Sequence, residues 1–180
     1  MRDPFSHEVA SFEQPLTLLQ ACHERVRHYS GLLVRMAEHQ AVHGSDEQLL
    51  VAAQSVLRYF DVAAPLHHAD EDDDLFAALW PRVDASVQSS LSALSAEHGV
   101  LEAEWAVWRV RLQALVAGEA VVLDPDAARD FSHRYVVHAA REEKEVYPWA
   151  EQVLSTAELS ALGQRMAARR QSSRDASPRP

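Results

Sequence analysis

A chain of 180 residues that is 47% hydrophobic, with five glycines, is long enough to bury a substantial core, and it argues against general disorder. Its formal charge of −10 argues against nucleic acid or an anionic membrane surface as partner, since both need a basic footprint. The single cysteine, Cys22, rules out an intrachain disulfide and thiolate zinc or iron–sulfur sites. No apolar leader opens the chain and no run approaches bilayer length, so the expectation is a cytoplasmic protein.

Leu, Ala, Val, Glu and Arg dominate, which leans helical. Residues 1–14 read as an arm. From Pro15 to about Val42, Leu16, Leu19, His23, Val26, Ser30, Leu33 and Ala37 recur at alternating spacings of three and four, the seam of a bundle helix. "HGSDEQ" breaks it, with Gly44 suited to the position past a helix end and Ser45 or Asp46 to the next cap. The second helix sets Leu50, Ala53, Leu57, Phe60, Ala64, His67 and Glu71 on one stripe, and Pro65 predicts a kink. After "WPRVDAS", a third helix runs from about Asp84 to Ala117. It turns Leu91, Leu94, His98, Leu101, Trp105, Trp108, Leu112 and Leu115 inward, and Gly118 ends it.

Asp124 as cap and Pro125 at the first helical position open a fourth helix, with Phe131, Tyr135, His138, Glu142, Val146 and Trp149 inward. Ser155 and Glu158 have capping-box spacing for a short fifth helix fading near Arg170, and residues 171–180 read as a disordered tail. The predicted fold is all-α: an antiparallel up-down-up-down four-helix bundle over residues 15–154, then a short C-terminal helix over 155–170 and the tail.

Each of the four long helices places one histidine on its buried stripe. The segments around His67 and His138 also match each other: Glu71 aligns with Glu142, Asp72 with Glu143, Leu75 with Val146 and Phe76 with Tyr147, 71 residues apart. His23 and His98 recur 75 residues apart. The chain reads as a duplicated helix pair whose halves face each other across a pseudo-twofold axis. On a helix, residues four apart share a face, so His67 with Glu71 and His138 with Glu142 can grip one centre. A carboxylate on a buried seam is costly unless a charge compensates it, and Arg and Lys are missing from these stripes, which leaves a bound cation. Imidazole and carboxylate donors without sulfur suit iron, manganese or zinc. Four imidazoles and two bridging carboxylates fill about eight of the roughly twelve positions around two octahedral ions. His68 and Glu102 are the nearest candidates for a further ligand.

The order His23, His67-x-x-x-Glu71, His98, His138-x-x-x-Glu142, with the segments "HHADEDDDLF" and "HAAREEKEVYP", resembles the hemerythrin-like, or HHE cation-binding, domain family over roughly residues 15–154. The resemblance implies two iron ions bridged by an oxo or hydroxo group and two carboxylates, with His23, His67, His98 and His138 as terminal ligands and Glu71 and Glu142 as bridges. It also implies dioxygen or a related small oxidant as ligand. Glu102 stands where the oxygen-carrying branch has a second third-helix histidine, and the last motif is one residue shorter, which speaks against simple oxygen transport. In some HHE members the residue after the second-helix histidine binds metal, which makes His68 a possible fifth imidazole.

Other residues receive plainer readings. The acid run Asp70 to Asp74 reads as mostly a solvated face and lacks the glycine and spacing of a calcium loop. Glu143 reads as outward, with an imidazole as its possible partner. Trp105 and Tyr135 are core residues at metal depth and candidates to wall the pocket. His7, His28, His39, His43 and His133 read as surface or supporting residues. The ferritin-like Glu-x-x-His pair, His-Glu-x-x-His and Gly-x-Ser-x-Gly are absent from the sequence. Three functions fit: a di-iron protein binding or sensing a small oxidant, an enzyme turning over peroxide or nitric oxide, and a metal-responsive interaction module.

Overall fold

The computed structural model describes residues 11–176. α1 spans Pro15–His43 and ends where Gly44 takes a φ of +76°, a left-handed conformation open to glycine. α2 spans Glu47–Arg82 and is started by Asp46, whose carboxylate accepts the Leu49 N–H at 2.9 Å. α3, Ala85–Val116, is capped by Asp84. α4, Pro125–Glu145, opens with the Asp124 cap and Pro125. It breaks at Val146, because Pro148 has no N–H for the ladder, and resumes as α5, Tyr147–Val153. α6, Thr156–Ala176, begins at a capping box in which the Ser155 N–H donates to Glu158 at 2.9 Å.

α1 packs against α2 and α4, and α3 packs against the same two. Short links make successive helices antiparallel, so the fold is the expected all-α four-helix bundle, with no strand among the described residues. The core falls into two apolar clusters. One holds Val26, Leu33, Phe60, Ala64, Leu101, Trp105, Phe131 and Tyr135. The other holds Leu19, Leu75, Phe76, Leu94, Val146 and Tyr147. Along every helix of the bundle the chain crosses from one cluster to the other at the predicted histidine. The six predicted ligands therefore form a polar layer between two dry ones.

α2 departs most from its sequence reading. Just before Pro65 the helix forms a π turn, Tyr59–Ala63, and a second π turn, Asp70–Phe76, carries Glu71. A widened turn accommodates the missing donor and the proline ring, and it shifts helix phase by a residue. Upstream, Leu49, Ala53 and Val56 are buried while the expected Leu50 and Leu57 are only half-buried. Downstream, both His67 and His68 turn inside. α2 is also long and apolar enough, by length and composition, to cross a membrane, contrary to the reading that no run comes close. Core helices of soluble proteins share that length and composition.

The acid run is not a solvated face throughout. Asp70 and Asp74 are buried and paired with arginines of α6: Arg170 with Asp70 at 2.7 Å, Arg169 with Asp74 at 2.7 Å, and Arg165 with Asp74. That docking, with Leu162 and Met166 buried beneath it, carries α6 past Arg170 to Ala176, where a disordered tail was expected. No glycine or proline interrupts the chain between Gly163 and Pro178. Residues 1–10 of the arm, including His7, and residues 177–180 of the tail lie outside the described residues.

Candidate metal centre

His23 comes from α1, His67 and Glu71 from α2, His98 from α3, and His138 and Glu142 from α4; all six are buried. Glu142 lies between the imidazoles. Its Oε2 is 3.1 Å from His23 Nε2, and its Oε1 is 3.3 Å from His98 Nε2 and 3.2 Å from His138 Nε2. Glu71 mirrors it: Oε1 lies 3.7 Å from His23 Nε2, and Oε2 lies 3.5 Å from His67 Nε2 and 3.6 Å from His98 Nε2. Two donor groups result, each with one atom per residue all within 4.8 Å of one another. One is His23, His67, Glu71 and Glu142; the other is His98, His138 and Glu142. Glu142 belongs to both.

The outward nitrogens of three imidazoles are held by carboxylates. His23 Nδ1–H donates to Glu143 at 2.9 Å, His98 Nδ1–H to Asp72 at 2.9 Å and His138 Nδ1–H to Glu97 at 2.9 Å. In a neutral imidazole this leaves the Nε2 lone pair facing the centre, the tautomer a metal needs. Arg27 donates both of its 2.9 Å bonds to Glu143, and Arg141 pairs with Glu97, fixing these carboxylates in turn. Asp72 and Glu143 occupy the same place in the two repeats, and each braces the histidine of the other half.

Tyr147 adds a group that the sequence reading did not single out. Its buried hydroxyl donates to Glu71 Oε1 at 2.7 Å and lies 3.2 Å from His23 Nε2. Burial, then the nearby Glu71 and Glu142 charges, push its acidity well out of reach, so it stays a neutral donor. The only signal for it was its alignment with Phe76. Both rings stack on an imidazole, Tyr147 on His23 at 5.5 Å and Phe76 on His98 at 6.1 Å.

His68 is buried, stacked on His98 at 4.2 Å, and its Nδ1–H donates to Glu102 at 3.0 Å. Glu102 is half exposed and braces His68, and neither residue falls within the two donor groups. Tyr135 adjoins His68 at 6.2 Å, whereas Trp105 stacks on Phe60 and donates its indole N–H to Asp61 at 2.9 Å.

The electrostatics ask for a cation. Burial opposes charge on His23, yet the facing Glu142 and Glu71 carboxylates outweigh it and lift His23 to about 10. His98, facing Asp72, Glu142 and Glu71, and His138, facing Glu142 and Glu97, are raised against the same burial penalty. His67 goes the other way, down to about 4, because burial dominates. Both Glu142 oxygens, Glu71 Oε2, His98 Nε2 and His138 Nε2 are buried with no hydrogen-bond partner among the described residues. Five inward-facing atoms that no protein donor or acceptor satisfies fit a metal better than a protein-only network.

Independent comparison agrees. The family model of the hemerythrin HHE cation binding domain matches residues 14–150. The chain belongs to this family. A protein of Haemophilus influenzae (strain ATCC 51907 / DSM 11121 / KW20 / Rd), named only as uncharacterized, is 31% identical over 164 residues, covering 91% of this chain and 94% of the relative. As an HHE domain the chain has a cation-binding fold, and its buried histidines and glutamates form groups that could hold a metal ion.

Proposed function

We propose that this HHE domain is a cytoplasmic non-haem di-iron protein that binds or senses dioxygen or a related small oxidant. The observation that carries the reading is the pair of buried carboxylates, Glu71 and Glu142, whose oxygens lie among imidazole nitrogens of four helices, with no other partner among the described residues for Glu71 Oε2 or either Glu142 oxygen. His23, His67, Glu71 and Glu142 would hold one ion, and His98, His138 and Glu142 the other. Together the ions would supply reversible electron transfer to an oxidant. His68 is the reserve imidazole on the His98 side. The protein's own part is to fix tautomers through Asp72, Glu97 and Glu143, and to exclude water with the apolar layers above and below. Tyr147 holds a proton at its hydroxyl within reach of Glu71. A cleft of about 360 Å³ between α3 and α4, lined by Val100, Leu101 and Val137 together with Glu97, His133, Arg134, Arg141 and His138, gives a small molecule an approach to one ligand.

The test is anaerobic iron loading of the purified protein, followed by dioxygen. Two irons per chain and a new visible absorption band are expected. A colourless protein that retains zinc alone after this treatment would overturn the proposal. The buried Tyr147 donor favours a second reading, an enzyme that reduces peroxide or nitric oxide. Repeated turnover with an added reductant, rather than stoichiometric binding, would select it.

A further inference from the structure

The internal duplication gives a rule for comparing the two halves of the centre. Residues of α2 map onto α4 and α5 by adding 71, and residues of α1 map onto α3 by adding 75. The structure obeys the rule where Asp72 and Glu143 brace opposite histidines and where Phe76 and Tyr147 stack on them. It breaks at three places. Glu97, which accepts the His138 Nδ1–H, maps onto Cys22, and His67 Nδ1 is correspondingly buried with no hydrogen-bond partner among the described residues. His68 maps onto Ala139, and its brace Glu102 maps onto Arg27. All three differences favour the same half.

Resting on the two-ion reading above, we propose that the two metal positions hold their ions with unequal strength. The His98/His138 position fills first and retains its ion, and the His23/His67 position is the exchangeable one. An acceptor on the outer nitrogen fixes an imidazole's tautomer and raises its basicity as a ligand. Both imidazoles of the first position have one, and His68, itself braced, stacks beside them. In the second position only His23 has one. His67 either keeps its Nδ1–H unpaired in a dry site, or moves the proton to Nε2, where it faces Glu71 and blocks coordination. The Tyr147 hydroxyl further engages the Glu71 oxygen nearest His23. The chain thereby holds one ion as structure and lets the second follow the supply of free divalent metal, so that chemistry needing both ions depends on that supply.

The experiment is titration of the chelator-stripped, full-length protein with Co(II), followed by visible absorption and native mass spectrometry. Two steps are expected, the second at least about tenfold weaker. Glu97→Gln should weaken the first step by about 10–100-fold, and Glu143→Gln should weaken the second by a similar factor. Both changes are nearly isosteric at partly exposed side chains, so circular dichroism should show an intact fold. Cys22→Glu, which installs the missing acceptor, should bring the two steps together. Two ions bound with equal affinity, or Glu143→Gln acting on the first step, would overturn the inference and leave the two-ion reading standing. No uptake, or one ion only at saturating Co(II), would defeat the two-ion reading itself.

Discussion

Removing metal should turn the centre into a pH-dependent weak point of the fold. In the metal-free protein, protons take the place of the cations among Glu71, Glu142 and the imidazoles. His23 is raised from 6.5 to about 10. A base whose affinity for protons rises on folding contributes stability that is complete below about pH 6.5 and is lost as pH climbs through about 10. Each tenfold change in proton affinity is worth about 1.4 kcal/mol, so His23 alone accounts for at most about 5 kcal/mol. His98 and His138 act in the same direction, but all three imidazoles face the one Glu142 carboxylate, so the total stays on that order rather than tripling. His67, lowered to about 4, penalises the fold only below its unfolded value and does not enter this window. Urea unfolding followed by circular dichroism, on chelator-stripped protein between about pH 6.5 and 9.5, should show a loss of several kcal/mol. The metal-loaded protein should show little, because an ion replaces the protons. Metal-free stability that stays flat or rises across this range would refute the reasoning.

Glu142→Gln keeps the shape of the shared carboxylate but removes its charge, and metal analysis should show fewer than two ions per chain. Tyr147→Phe leaves Glu71 Oε1 without its donor and should cost the metal-free protein about 1–3 kcal/mol in urea unfolding, and the loaded protein less. Arg169→Ala removes one partner each from Asp70 and Asp74. It should lower stability by about 1–3 kcal/mol, since Arg170 and Arg165 remain, and hydrogen exchange should quicken in α6 and in the Asp70–Phe76 turn.

The bundle and its six inward donors were legible because they obey simple periodicity. The α3 stripe from Leu91 to Leu115 is buried residue for residue as the three/four spacing predicts. What the sequence hid lies where periodicity fails. The two π turns of α2 shift its phase, which no spacing rule for a regular helix foresees, and so His68 enters the core and Leu50 sits at its margin. Asp70 and Asp74 looked solvated because their partners, Arg165, Arg169 and Arg170, lie about a hundred residues away in a helix that reads as polar. Glu97 carried no signal beyond preceding His98, since bracing His138 depends on how α3 meets α4. Tyr147 was visible only as the partner of Phe76 in the repeat.

X-ray absorption at the iron edge of the iron-loaded protein is the most direct test of the centre itself. The expected result is a shell of nitrogen and oxygen neighbours without sulfur and a second iron within about 4 Å. A sulfur neighbour, or an isolated iron with no second metal nearby, would contradict the account.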